Sequence, residues 1–154
     1  MDLVIEPADF GDARLTAFLR AHLDDLAPTA PTESQHALSL AELDNPSIRV
    51  WVVRHRSSIA ATGALAKVSP SHEELKSMRT DPELRGRGIA RSLLEHMVAD
   101  ARSRGIARVS LETGSMEFFA PARRLYTWFG FVPCPPFGDY RPDPNSVFMT
   151  MPLD

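Results

Sequence analysis

The spacing of apolar residues changes several times along the chain, and each change marks an element. The opening run LVIEP, residues 3–7, is short, branched and closed by proline, which predicts a strand. Leu15, Phe18, Leu19, His22 and Leu23 then recur at helical spacing and predict a helix over residues 9–26. Thr32 and Gln35 have the form of a capping box, which predicts a second helix running through Leu43 until Asn45-Pro46 stops it. Residues 47–56 and 57–68 read as two strands joined at Arg56-Ser57, and residues 73–80 as a third that ends at Asp81-Pro82. From Ile89 the period is helical again. Ile89, Leu93 and Met97 lie four apart, as do Ala90, Leu94 and Val98. Gly105 suits the position just past that helix, with Arg102 and Arg104 complementing the dipole of its last turn. Residues 107–113 alternate as a strand. Pro121 opens a further helix whose inner face is Ala122, Leu125, Tyr126 and Phe129, and Gly130 ends it. Residues 145–153 form a last strand, with room for one more around Phe131.

This order, β-α-α-β-β-β-α-β-α-β, predicts an α/β fold in one domain over residues 1–154. Its central sheet is mixed but mostly antiparallel, flanked by helices, with a strand–helix–strand crossover in the middle. A length of 154 residues suits one sizeable core. The net charge of −3 argues against a general nucleic-acid binder, but the charge is uneven. Residues 1–74 carry 6 Lys and Arg against 11 Asp and Glu, whereas residues 75–154 carry 11 against 9. The basic excess lies in the second half. Cys134 is the one cysteine, so no internal disulfide forms. The first residues, MDLVIEPADFGD, lack the basic and apolar regions of a signal peptide, and no run suggests a membrane span. The expected location is therefore the cytoplasm, with no membrane partner.

The basic half contains DPELRGRGIARSLLEHMVADA, residues 81–101, where two glycines sit among arginines at the start of a helix. A helix start frees backbone N–H groups and carries partial positive charge. Glycines let the backbone approach a ligand, and arginines add charge-assisted hydrogen bonds. Together these suit a phosphate or pyrophosphate. The same residues also suit a tight strand-to-helix turn with no ligand. The segment has no Gly-Lys-Ser/Thr, so it is not a P-loop, and no Gly-x-Gly-x-x-Gly.

Arg85-x-x-Gly88-x-Ala90 resembles the pyrophosphate motif of the GNAT superfamily of N-acetyltransferases, Gln/Arg-x-x-Gly-x-Gly/Ala. The preceding ELKSMRT resembles the strand that pairs with the pantetheine arm of acetyl-CoA in that family. The later APARRLYTWFGF resembles the helix that carries a tyrosine beside the thiol. LETGSM, APARRLY and DPNSVFM are similar to a subgroup of small bacterial single-domain members. The resemblance implies a GNAT-like fold and transfer of an acetyl group from acetyl-CoA to an amine by direct attack. It implies cofactor contacts at Met78, Arg79, Thr80, Arg85, Gly86, Arg87, Gly88, Ile89, Ala90 and Tyr126. It gives Tyr126 the role of proton donor to the leaving thiolate, and the strand N–H groups near Met78 that of oxyanion donors. Phe119 stands where many members have an asparagine that reaches the cofactor.

The acceptor must lose a proton before it attacks. Glu74, eleven residues before Arg85, has the spacing some members use for a base. Read without the family, Glu73-Glu74 is equally a solvated pair at a strand start, and Tyr126 is a core aromatic. His72 reads as an exposed loop residue, His96 as half exposed and Cys134 as buried and inert. Trp51 reads as a sheet residue and Trp128 as partly exposed. The acceptor pocket is expected between the first two helices and the loop PPFGDYRPDPN, where Asp139, Tyr140 and Asp143 suit a cationic amine with an apolar body, though each also reads as part of a proline-stiffened turn. No Cys/His/Asp spacing predicts a metal. The expected acceptor is a small molecule or an amino acid. A protein lysine or N-terminus, or a non-catalytic CoA-binding module, is the alternative. Monomer and homodimer both remain open.

Overall fold

The computed structural model describes residues 2–153. Seven strands form one sheet in the order β1-β2-β3-β4-β5-β7-β6. They are β1 (Leu3–Pro7), β2 (Ile48–His55), β3 (Ser58–Ser69), β4 (His72–Thr80), β5 (Arg108–Gly114), β6 (Val132–Pro133) and β7 (Ser146–Pro152). Only β4 and β5 pair in parallel; every other neighbour is antiparallel. The parallel pair needs a crossover, and α3 (Ile89–Ser103) supplies it. The remaining helices are α1 (Ala13–Leu26), α2 (Leu40–Leu43) and α4 (Ala120–Phe129).

Strand alternation sends two sets of apolar residues to opposite faces of the sheet. Leu65, Leu75, Val109, Leu111 and Met149 pack with Leu93, Met97 and Val98 of α3 and with Tyr126 of α4. Val50, Val52 and Ala64 pack on the other side with Leu15 and Leu19 of α1 and Leu43 of α2. The crossover is also tied by charge. Arg104, at the end of α3, donates to both carboxylate oxygens of Glu73 at 2.7 and 2.8 Å and to Asp100 at 2.8 Å.

The second helix is shorter than the sequence predicts. Thr32 begins a single 3₁₀ turn, and the Gln35 side chain does not cap it. Gln35 Nε2 instead donates back to the carbonyls of Ala27 and Ala30, at 2.8 and 2.7 Å. The capping box is formed by Ser39 and Glu42, and it opens a helix of one turn.

One irregularity shapes the functional face. β4 pairs with β5 only over His72–Leu75 against Arg108–Leu111, although both strands run on, to Thr80 and Gly114. On its other edge the β3–β4 register shifts between Thr62 and Ala64, leaving Ser77 and Met78 as a bulge opposite Gly63. Ser77 has a φ of 56°, a left-handed conformation uncommon for a side-chain-bearing residue. The buried Thr62 hydroxyl holds the Ser77 carbonyl at 3.0 Å. A Cβ on Gly63 would lie 2.7 Å from the sulfurs of Met78 and Met97, so glycine is what lets β3 lie so close. A bulge bends its strand and raises the local twist. Here β4 parts from β5 and a cleft opens through the sheet.

Candidate active site

The cleft has a different chemistry at each side of the sheet. On the α3–α4 side stands Tyr126, whose ring is buried edge-on to Phe131 at 5.8 Å. Its hydroxyl finds no hydrogen-bond partner among the described residues, and burial pushes its pKa well above the ordinary phenol value. Tyr126 is therefore a neutral phenol at pH 7. Met78 and Ala122 line the cleft with it, and so does Phe119. The Phe119 ring fills the space a Cβ on Gly114 would need, which would lie 2.1 Å from Cδ2.

The start of α3 lies beyond the far end of β4. Gly86 and Gly88 both have left-handed φ values, 78° and 77°, which glycine adopts without strain. Gly88 is the N-cap and has no side chain with which to cap the first turn. Nothing lies within 4 Å of where a Cβ would stand on either glycine, so the space over them is open. Arg85 and Arg87 are exposed beside it, Ala90 is half-buried, and Ile89 is buried and offers its backbone alone. Arg79 leans away. It pairs with Asp25 of α1 and stacks on Phe18 at 5.3 Å, while Thr80 lies across from Ala61.

The cleft holds about 150 Å³ in all, and it continues to the α1–α2 side, where Glu74, Lys76 and Glu112 line it. Glu74, Lys76 and Glu112 are on this face because each is out of phase with its buried neighbours Leu75 and Leu111. Glu74 is buried, and Oε2 accepts from the Tyr140 hydroxyl at 2.5 Å and from Lys76 Nζ at 3.2 Å. Lys76 also donates to the Tyr140 oxygen at 2.9 Å. Two residues singled out in the sequence, Glu74 and Tyr140, are thus in direct contact. Burial and the carboxylate push the Tyr140 pKa upward. Asp139 is exposed; it does not line this cleft but a second hollow, with Phe137 and Tyr140.

A roof partly covers this side. The segment between α1 and α2 meets the loop before β7 at two points: Asn145 Nδ2 lies 3.3 Å from Ser34 Oγ, and His36 stands edge-on to Tyr140 at 5.0 Å. His22 of α1 lines the cavity, and burial together with the Arg79 charge lowers its pKa to about 4.

Several sequence expectations need correction. Glu73 and Glu74 are not a solvated pair; both are buried, one on Arg104 and the other in the cleft. His72 is not an exposed loop residue. It begins β4, bonds Ser110 Oγ at 2.6 Å and lies against Phe137 at 5.6 Å. Cys134 is half-buried rather than buried. Glu112, Lys76, His36 and His22 were not singled out as site residues by sequence reasoning. Glu112 alone had a visible signal, as a carboxylate inside the apolar strand RVSLETG. Among the described residues no cluster of His, Cys, Asp and Glu could hold a metal ion, and no helix is long and apolar enough to cross a membrane.

A family model described as the acetyltransferase (GNAT) family matches residues 15–131. The chain belongs to the GNAT family of acetyltransferases. This GNAT acyltransferase is 43% identical over 145 residues to YsnE of Bacillus subtilis (strain 168), an uncharacterized N-acetyltransferase, covering 94% of this chain and 96% of YsnE. It is 40% identical over 136 residues to an IAA acetyltransferase of Azospirillum brasilense, covering 88% of this chain and 86% of that one. A structure from Klebsiella pneumoniae assigned as an acyl-CoA N-acyltransferase superposes with a TM-score of 0.80 at 29% identity. That match covers 99% of this chain and 98% of the other.

Proposed function

We propose that this GNAT acetyltransferase moves an acetyl group from acetyl-CoA to the amine of a small molecule. The observation that carries the reading is the roofed cavity on the acceptor side. A peptide needs an open groove, and here the Ser34–Asn145 and His36–Tyr140 contacts tie both banks together over the acceptor end of a cleft that holds about 150 Å³ in all.

The residues present fit the cofactor. The left-handed Gly86 and Gly88 leave open space above a helix start with no side-chain cap, as a pyrophosphate requires, and Arg85 and Arg87 supply positive charge beside it. The unpaired stretch of β4 past Leu75, with Arg79 and Thr80 at its end, offers backbone donors and acceptors to an extended arm. Acetyl-CoA supplies the activated acyl group as a thioester. The bulge takes Ser77 and Met78 out of the β3 register, with only the Thr62 hydroxyl on the Ser77 carbonyl, which fits the Met78 N–H as the donor to the developing oxyanion. Tyr126, protonated and lacking any other hydrogen-bond partner, holds the proton that the departing thiolate takes. Glu74 borders the acceptor cavity and, through Lys76 and Tyr140, holds the loop that roofs it.

Thiol release from acetyl-CoA, measured against a set of small amines and a set of lysine and N-terminal peptides, tests the reading. Turnover is expected with small amines and not with peptides. Faster turnover with peptides would reassign the acceptor class.

A further inference from the structure

The acceptor cavity contains an uneven set of charges. Lys76 is the only lysine or arginine that lines it, and that ammonium is engaged by Glu74 and Tyr140. Glu74 and Lys76 cancel. His22 stays neutral down to about pH 4 because it is largely desolvated beside Arg79, though its side chain is only half-buried. Of the two carboxylates that line the cavity, Glu112 is left as the one with no lysine or arginine within salt-bridge distance among the described residues. It projects from β5 where that strand parts from β4, on the face opposite Tyr126. The groups that face it are the Ser146 hydroxyl from β7, His36 from the roof, and Lys76 and Glu74 from β4; burial dominates and holds its pKa above the ordinary carboxyl value.

We propose that the acceptor is a primary amine with no carboxylate on its amine-bearing carbon, and that Glu112 receives its ammonium. The inference rests on the small-molecule acetyltransferase reading above. Glu112 is half-buried with no cation paired to it, which is costly for a carboxylate, and an entering ammonium meets that need. An α-amino acid would bring its own carboxylate within the same small space. There it would face Glu112 and Glu74 with no free lysine or arginine to receive it. One proton then passes from the ammonium nitrogen to a Glu112 oxygen. The amine is left neutral with its lone pair free, and the carboxyl is left as a neutral acid. A raised carboxyl pKa narrows the gap to an alkyl ammonium, which is widest for an unperturbed glutamate.

The test pairs each amino acid with its decarboxylated amine: phenylalanine with phenethylamine, tyrosine with tyramine, histidine with histamine, and lysine with cadaverine. CoA release is followed with the intact wild-type protein and with Glu112→Gln. The amine of at least one pair should exceed its amino acid by about a hundredfold in kcat/KM. Glu112→Gln should lower that amine's kcat/KM by about tenfold to a hundredfold, the usual weight of a hydrogen bond to a charged group. Its CoA affinity by calorimetry and its melting temperature should stay close to wild type. Equal or better use of the amino acids overturns the inference and leaves the acetyltransferase reading standing. An unchanged kcat/KM in Glu112→Gln overturns the assignment of Glu112. If neither series releases CoA the inference falls, and calorimetry then decides whether the acetyl-CoA reading falls with it.

Discussion

Tyr126 carries a prediction about one atom. Tyr126→Phe removes the phenol proton and keeps the ring's packing against Phe131. CoA affinity should hold while kcat falls by about 10²–10⁴-fold, the usual range for a positioned proton donor. Calorimetry and steady-state kinetics read the two quantities separately. His22 carries a prediction about pH. Its folded pKa of about 4 lies below the unfolded value near 6.5, so the unfolded chain binds more protons between those limits. Stability from His22 is full above pH 6.5 and is lost as pH falls toward 4, by no more than about 3 kcal/mol. Urea unfolding at a series of pH values should show this limb, and His22→Gln should flatten it.

At the scale of elements, the bulge in β4 is the feature on which the site depends. Thr62 and Gly63 sit on β3, outside the cleft lining, yet one holds the Ser77 carbonyl and the other makes room for Met78. Thr62→Val preserves shape and leaves a buried carbonyl without its partner, at a cost of about 1–3 kcal/mol. If the Met78 N–H is the oxyanion donor proposed above, activity should fall by more than the loss of folded protein explains, because Met78 belongs to the same bulge. Unfolding curves and kcat measured on the same preparation check this.

For the whole molecule, CoA is expected to bridge elements that otherwise part: the open edge of β4, the start of α3 and the face of α4. A ligand bound only by the folded state stabilises it by about 2.7 kcal/mol at a hundredfold excess over its Kd. For a chain of this size that corresponds to about 5–10 °C in Tm. Gly88→Glu puts a side chain and a negative charge into the open space over the cradle and strains a left-handed position. Its Tm without CoA should drop modestly, and the shift on adding CoA should vanish. A full shift in that variant would place the pyrophosphate elsewhere.

Local sequence determined the strands, α1, α3 and α4, because spacing, capping and turn residues act within a few positions of one another. The glycine turn that opens α3 was legible for the same reason: Gly86 and Gly88 are two residues apart and take their left-handed φ with no distant partner. Thr32–Gln35 misled because its pattern matches a capping box, whereas the Gln35 amide finds carbonyls at Ala27 and Ala30 once the chain turns back. The cleft itself was beyond the sequence. It depends on where the β3–β4 register slips, and a slip reverses which face each side chain takes. Glu73 and Glu74 are adjacent and chemically identical. Only the tertiary structure sends one to Arg104 and the other, across a separation of 66 residues, to Tyr140. The isolation of Glu112 is likewise a property of the assembled cavity, since a charge counts as unpaired only when every neighbour has been placed.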